Sequence, residues 1–215
     1  MLHHNSSPVA ELRDRLLASF ERDGARAETL AVSRQAMIYR AGDPGQMVYF
    51  IESGRVKLES VSRVGKACML SIHGAGDIFG ELALTGAARR VETATAMDDS
   101  QLRRMARADF LARLRQEGLL ELFIRYLAAQ VAEQHQRIAT FVTMDSEQRL
   151  GRTLLMLAPE VRISHEDLAS LVGTTRPRVT TFLRKFRHLD LITVGEQKRL
   201  LVHEHQLAAW LTART

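Results

Sequence analysis

Residues 168–179 read LASLVGTTRPRV, and this stretch decides how the C-terminal part of the chain folds. Leu168 and Val172 are four residues apart and predict the inner face of a short helix. Gly173 follows where a tight turn between two helices needs a residue free to adopt a positive φ. Pro177 is tolerated in the first turn of a second helix, because its missing N–H would be unpaired there. The stretch therefore predicts two helices joined by a sharp turn.

The flanking residues extend this pattern into a larger module. Ser164 resembles the N-cap of the first helix, with an acidic residue three positions later as in a capping box. Thr174 and Thr175 offer the N-cap of the second helix. Leu191–Val194 and Lys198–Val202, separated by a glycine-containing turn, predict a β-hairpin. Two helices followed by a hairpin indicate a winged helix-turn-helix.

The second helix of this module carries concentrated positive charge. The whole chain has a net charge of +5, whereas the residues between Gly173 and Leu189 include five basic residues and no acidic one. Such a patch suits a polyanion, although an ordinary solvated helix face would show similar charge. We expect Arg176 and Arg178 to contact base edges or phosphates of double-stranded DNA. The full set of expected DNA-binding residues is Ser164, Thr174, Thr175, Arg176, Arg178, Thr181, Lys185 and Lys198.

The N-terminal half has a different pattern. Residues 9–30 predict a helical lead-in, after which short apolar segments alternate with turns rich in Gly, Asp and Pro. The strand-like segments are residues 47–51, 55–61, 67–72, 91–96 and 101–105. Many short strands with regular turns are typical of an antiparallel barrel or roll.

A long helical segment is predicted from about Asp109 to Asp145. Seven of its residues follow alternating steps of three and four, and all but Gln134 are apolar: Leu120, Ile124, Leu127, Val131, Gln134, Ile138 and Phe141. This is the seam of a two-stranded coiled coil, so we expect a homodimer. A single amphipathic helix lying on its own domain is the alternative.

The predicted fold class is therefore α+β, with three parts. An N-terminal antiparallel β-roll spans residues 1–115, a long dimerisation helix spans 116–145, and the winged helix-turn-helix spans 146–215. The single cysteine, Cys68, leaves no internal disulfide framework. Because no apolar run has the length of a signal peptide or membrane span, we expect a cytoplasmic protein with no membrane partner. No P-loop, nucleophile elbow or metal-binding pattern is present, so we expect no catalytic residue, no metal site and no enzyme.

Three further motifs extend the pattern to nearly the whole chain. Gly42–Pro44, Val48–Leu58 and Gly76–Leu84 precede the coiled-coil segment and the 168–179 stretch in the order found in the cyclic-AMP receptor protein and fumarate–nitrate regulator (CRP/FNR) superfamily. The sequence resembles that superfamily. The resemblance implies a cyclic-nucleotide-binding-like roll and a dimeric transcription regulator that binds palindromic DNA, with RNA polymerase as a further partner.

The resemblance also implies an effector site. In nucleotide-binding relatives the loop that matches Gly80-Glu81-Leu82 binds the ribose, and an arginine about nine residues later pairs with the cyclic phosphate. An arginine suits this role because it is permanently charged and can donate two parallel hydrogen bonds. The matching effector residues are Gly80, Glu81, Leu82, Arg89 and Arg90, with Gln134 and His135 on the long helix.

Two residues depart from this pattern. Val91 has no hydroxyl at a position that is commonly Ser, Thr or Ala in nucleotide binders. Glu92 would place a carboxylate near a bound phosphate unless its side chain points away, as strand alternation permits. The effector is therefore a cyclic nucleotide, another small molecule, or absent, in which case Glu81 and Arg90 pair with each other or with the roll edge as an inherited scaffold.

Overall fold

The computed structural model describes residues 8–22, 27–61, 67–196 and 199–214. The chain divides into two compact units at the bond between Gln130 and Val131. Each unit has its own hydrophobic core. No helix in the described ranges is both long enough and apolar enough to span a membrane.

The first unit is an antiparallel roll with flanking helices. Its elements are α1 (Pro8–Arg22), β1 (Glu28–Val32), β2 (Met37–Tyr39), β3 (Met47–Ser53), β4 (Val56–Val61), β5 (Ala67–His73), β6 (Ile78–Phe79), a 3-10 helix (Glu81–Thr85), β7 (Thr93–Ala96), β8 (Ser100–Ala106), α2 (Arg107–Gln116) and the first part of α3 (Leu120–Thr143). The described strands form two four-stranded sheets, in the orders β1-β8-β3-β6 and β2-β7-β4-β5. The prediction of an α+β chain with an N-terminal antiparallel roll is confirmed.

The helical lead-in is shorter than predicted. Helix α1 ends at Arg22, and Glu28–Val32 is a strand paired with β8. Leu30 lies opposite Leu102, which is fully buried. Pairing with a buried neighbouring strand outweighs weak local helix preference, so the prediction was wrong for residues 28–30.

The predicted helix from Asp109 to Asp145 is interrupted. Helix α2 ends at Gln116, and Gly118 adopts a left-handed conformation with φ of 63° before α3 begins. Leu119, between the two helices, is fully buried. The break lets α2 and α3 pack against the same core, which a single straight helix could not do.

Tyr126 fixes the first part of α3 to the roll. Its ring is buried, and its hydroxyl donates to the carbonyl oxygen of Ile78 (3.0 Å) and accepts from the Ile78 N–H (3.1 Å). The Gln130 amide donates to the same hydroxyl at 3.2 Å. Both backbone groups of a strand residue are thereby satisfied by one side chain.

Most of the predicted seam is exposed on α3. Ile124, Val131 and Ile138 have exposed fractions of 63%, 53% and 61%. Leu127 differs, because it packs against the core of the first unit. Exposure of several large apolar side chains along one helix marks an interaction surface.

The second unit is a winged helix-turn-helix. It contains the end of α3, then α4 (Ser146–Leu157), β9 (Glu160–Val161), α5 (His165–Val172), α6 (Arg176–His188), β10 (Ile192–Val194), β11 (Leu200–Val202) and α7 (Glu204–Thr212). Strands β10 and β11 form the predicted hairpin, and β9 adds a third strand against β11. Helix α7, which sequence reasoning did not predict, contributes the fully buried Leu207 to the core.

The two hydrogen bonds between the Tyr126 hydroxyl and the Ile78 backbone, here called the Tyr126 clamp, predict a stability effect. In Tyr126→Phe the ring stays in the core, but the Ile78 N–H and carbonyl lose their partner. The free energy of unfolding of the first unit should fall by about 1–3 kcal/mol, measured as a lower urea midpoint by circular dichroism. Gln130→Ala is the control, since it leaves both Ile78 contacts intact and should cost less than about 0.5 kcal/mol. Equal losses in the two variants would show that the clamp does not stabilise the roll.

Candidate nucleic-acid interface and effector site

The turn between α5 and α6 has the predicted backbone. Ser164 caps α5, accepting from the Asp167 N–H at 3.0 Å and donating to its carboxylate at 2.7 Å. Gly173 ends the helix with φ of 71°, and the Thr174 N–H donates to the Ala169 carbonyl. The predicted cap and glycine turn are confirmed. Thr175 is the N-cap residue of α6, but its side chain makes no capping hydrogen bond.

One face of α6 is anchored in the core. Val179, Leu183 and Phe186 are buried, as predicted, and the Phe186 ring lies edge-on to Trp210 of α7 at a centroid distance of 5.1 Å. Burial of three large side chains at helical spacing determines which face of α6 points outward.

The outward face of α6 is basic. Its exposed residues include Arg176, Arg178, Thr181, Arg184, Lys185, Arg187 and His188. The arginines of this set form no ion pair within the described ranges. Arg178 instead places its guanidinium 5.7 Å from the Phe182 ring centroid. Unpaired guanidinium groups on one exposed face can donate to phosphate oxygens or to base edges.

Lys185 is held by a carboxylate. Its ammonium lies 2.7 Å from Glu147 Oε1, and Arg214 lies 3.8 Å from Oε2 of the same residue. Glu147 is in the first turn of α4, a position that sequence reasoning did not single out. An acid in a first helical turn is too common a signal to have identified it.

The other expected DNA-binding residues differ in exposure. Ser164 and Thr175 are exposed, and Thr174 is half-buried. Thr181 is exposed, but its hydroxyl donates to the Pro177 carbonyl at 3.1 Å. Lys198 lies outside the described residues.

The end of α3 contacts the turn that precedes α6. A Cβ placed on Gly173 would meet Cε1 of Phe141 at 2.7 Å, so only glycine leaves room for that ring. Arg149 covers the same ring at 4.9 Å and donates to the carbonyls of Val172 (2.9 Å) and Met144 (2.8 Å). One arginine thus joins the end of α3 to the end of α5.

Within the roll, the expected effector segment follows β6. Gly80 has φ of 73°, and a Cβ there would lie 2.8 Å from a terminal nitrogen of Arg90. Glu81 begins the 3-10 helix, and its Oε2 is buried without a hydrogen-bond partner among the described residues. Leu82 and Arg89 are exposed, and Arg89 donates to the Gly42 carbonyl at 2.6 Å.

Arg90 is directed into the roll. It is only 6% exposed and donates through Nη1 to the Gly80 carbonyl (3.1 Å) and through Nη2 to the Met47 carbonyl. Its guanidinium lies over the Tyr39 ring at 4.2 Å and 5.6 Å from the Tyr49 centroid. Its Nε is buried and makes no hydrogen bond within the described ranges.

Glu92 also points inward. Strand alternation permitted its side chain to face away, but Glu92 is 6% exposed and accepts a hydrogen bond from the Tyr39 hydroxyl at 3.1 Å. Val91 takes the outward position, with 64% exposure. Of the two orientations that the sequence left open for Glu92, the structure has the inward one.

Burial raises the pKa values of Glu81, Glu92 and Tyr39. It raises the pKa of the Glu92 carboxyl, against the opposing effects of the Tyr39 hydrogen bond and the Arg90 charge. Burial also raises the pKa of Glu81, and the nearby Glu92 carboxyl adds to that increase. The pKa of Tyr39 is raised by burial and by Glu92, so its hydroxyl remains a donor. The two carboxyls and Arg90 therefore share one electrostatic environment.

The structure gathers only part of the expected effector set. Gly80, Glu81 and Arg90 lie together in the first unit, whereas Gln134 and His135 are exposed residues of α3 in the second unit. Sequence reasoning missed Tyr39. No local signal could have identified it, because its contact with Glu92 depends on the pairing of β2 with β7.

Two family models match the chain. A cyclic nucleotide-binding domain matches residues 29–117, and a Crp-like helix-turn-helix domain matches residues 148–210. The matches cover the roll with α2 and the second unit from α4 to α7. Each corresponds to a part that the structure forms as a packed module.

Known proteins of similar sequence and structure are transcription regulators. The cyclic AMP receptor protein of Thermus thermophilus is 29% identical over 164 residues, covering 74% of this chain and 76% of that protein. A CRP-like cAMP-activated global transcriptional regulator of Mycobacterium tuberculosis is 28% identical over 184 residues, covering 80% and 82%. The solved structure of a CRP-family transcriptional regulator from Thermus thermophilus superposes with a TM-score of 0.71 at 26% identity, covering 85% of this chain and 96% of that one.

The Ser164 cap predicts a stability effect that can be measured without DNA. Ser164→Ala removes the acceptor for the Asp167 N–H and should lower the free energy of unfolding of the second unit by about 0.5–2 kcal/mol. Ser164→Asp retains an N-cap acceptor and should keep most of the stability. Thermal unfolding of the two variants measures the difference. An unchanged melting temperature in Ser164→Ala would show that the cap contributes nothing.

Proposed function

Because the chain belongs to the CRP/FNR family of transcription regulators, we propose that it acts as a homodimer on palindromic DNA, with α6 in the major groove. The observation that carries this proposal is the exposed basic face of α6, oriented by its buried apolar face. A DNA-binding role supports the proposed cytoplasmic location. RNA polymerase remains a predicted partner, and the division into residues 1–115, 116–145 and 146–215 remains a proposal.

The residues of the proposed interface have different roles. Arg176 and Arg178, near the start of α6, are the base-reading candidates, since the first residues of a recognition helix reach the base edges. Thr181 reads nearby. Lys185 is the candidate for a phosphate contact. To make it, its ammonium group must leave the Glu147 carboxylate or bind the carboxylate and the phosphate together. Ser164, Thr174, Thr175 and Lys198 complete the proposed interface.

Homodimerisation is supported by the apolar surface of α3. Ile124, Val131 and Ile138 recur at heptad positions and are largely exposed in the single chain. Pairing with the same helix of a second copy would remove this surface from water. A twofold dimer then presents two α6 helices to half-sites one DNA turn apart, about 34 Å centre to centre.

Two forms of regulation follow from the roll. In the first, a small effector bound by Glu81 and Arg90, with Gln134 or His135, favours the DNA-binding dimer through its higher affinity for that state. In the second, the protein binds DNA without an effector. The two hydrogen bonds that Arg90 already makes to carbonyls of the roll favour the second form. A mobility-shift assay with and without cyclic nucleotides discriminates between them.

DNA binding is tested with the Arg176→Ala, Arg178→Ala double variant. A palindromic operator is first selected from a randomised library with the unaltered protein. Loss of each base-reading arginine should cost about 1–3 kcal/mol and relax preference at one symmetric pair of positions. Fluorescence anisotropy measures affinity for the operator and for scrambled DNA.

The matched control removes two arginines elsewhere. Arg34 and Arg115 are exposed residues of the first unit. The Arg34→Ala, Arg115→Ala variant loses the same net charge and should bind the operator with nearly unchanged specificity. Undiminished specific binding by the Arg176→Ala, Arg178→Ala variant would contradict the assignment of α6.

The dimer is tested at Val131. Val131→Asp places two like charges opposite each other in an apolar seam, so the protein should become monomeric at micromolar concentration. Ala129→Asp is the control, because Ala129 is exposed on the opposite side of the same helix. Light scattering gives the mass of each protein. A monomeric unaltered protein, or a dimeric Val131→Asp variant, would overturn the proposed seam.

A further inference from the structure

The family resemblance assigns a cyclic phosphate to Arg90, and the structure allows that assignment to be examined. A phosphodiester needs a guanidinium that can direct parallel N–H groups at its oxygens. It also needs surroundings without a competing anion. The contacts of Arg90 and Glu92 in this roll bear on both requirements.

Arg90 meets the first requirement only in part, because two of its N–H groups are already used within the roll. Each of its terminal nitrogens donates to a backbone carbonyl, one from Gly80 and one from Met47. The Tyr39 ring covers a face of the guanidinium at 4.2 Å, and the residue is 6% exposed. A ligand would have to displace contacts that the roll itself provides.

Glu92 conflicts with the second requirement. Its carboxyl lies inside the roll, held by the Tyr39 hydroxyl at 3.1 Å, and the Arg90 guanidinium lies 4.2 Å from the ring centroid of the same tyrosine. A phosphate entering beside it would bring a second acidic group into a poorly hydrated space. Repulsion between like charges is strong where water is excluded.

We propose that Glu92, positioned by Tyr39, excludes the phosphate of a cyclic nucleotide from this roll and occupies its place beside Arg90. Glu92 is thus a specificity-determining residue. Exclusion of the nucleotide would explain why the protein binds DNA without an effector. That regulatory conclusion rests on the proposed function, whereas the exclusion itself does not. Nucleotide binding is measured without DNA, so the two proposals can fail separately.

Val91 provides an internal comparison. Both Val91 and Glu92 depart from the pattern of nucleotide binders, but Val91 is 64% exposed and points away from Arg90. Position 92, rather than position 91, therefore determines the exclusion. Sequence comparison alone could not rank the two departures.

Removal of Glu92 should leave groups able to receive a ligand. Glu81 Oε2 and Arg90 Nε are buried and lack hydrogen-bond partners in the described part of the chain. In Glu92→Ala the carboxyl is gone, and Tyr39 loses its acceptor and can move. Arg90 can then direct its free N–H groups at a phosphate.

The experiment is calorimetric titration of the full-length protein with cyclic AMP. The unaltered protein and Val91→Ser should show no binding up to about 1 mM, whereas Glu92→Ala should bind at least about tenfold more tightly than that limit. Glu92→Gln removes the charge but keeps the shape, and should also gain binding. Adding Arg90→Ala to Glu92→Ala should abolish the gain.

Several results would overturn the proposal. One is cyclic-AMP binding by the unaltered protein that is lost in Arg90→Ala. Another is a gain of binding in Val91→Ser that equals the gain in Glu92→Ala. A third is absence of binding in both Glu92 variants while circular dichroism shows that at least one of them is folded. If Glu92→Ala does not fold, the titration of Glu92→Gln decides alone. Binding by Glu92→Gln would support exclusion by Glu92, and no binding would contradict it.

Discussion

A buried guanidinium needs polar or aromatic partners inside the protein, and several residues of the roll supply them to Arg90. Removing a charge from water is costly unless polar groups surround it. Arg90 takes carbonyls from Gly80 and Met47, the ring of Tyr39, and the field of a nearby carboxyl. Gly80 must lack a side chain because Arg90 lies against it. Arg90 thereby links Gly80, Met47 and Tyr39, which belong to different segments of the roll.

Arg90 of the roll and the arginines at the start of α6 have opposite environments. In the roll, the guanidinium of Arg90 is enclosed and its hydrogen bonds stay within the protein. On α6, the guanidinium groups of Arg176 and Arg178 remain in water, where a polyanion can reach them at little desolvation cost. The same chemical group therefore serves as internal scaffold in one unit and as the proposed contact surface in the other. Burial, rather than residue type, separates the two uses.

Most of the architecture could be predicted from local patterns. Gly173, Ser164 and the apolar spacing of α6 encode the helix-turn-helix within a short segment, and alternation with turn residues indicated most strands. The two-residue strands β6 and β9 and the lead-in strand β1 could not be predicted, because their identity depends on partners distant in sequence. The same holds for the site: Glu81 and Arg90 were found by motif, whereas Tyr39 and the inward turn of Glu92 emerge only from cross-strand pairing.

Arg149 and Phe141 give the second unit a mechanical property. The guanidinium of Arg149 connects the carbonyls of Met144 and Val172, and the Phe141 ring fills the space above Gly173. Side-chain contacts therefore connect the last turn of α3 to the turn before α6, in addition to the chain itself. In the proposed dimer, a rotation of the end of α3 would therefore be transmitted to the turn before α6 through Arg149 and Phe141.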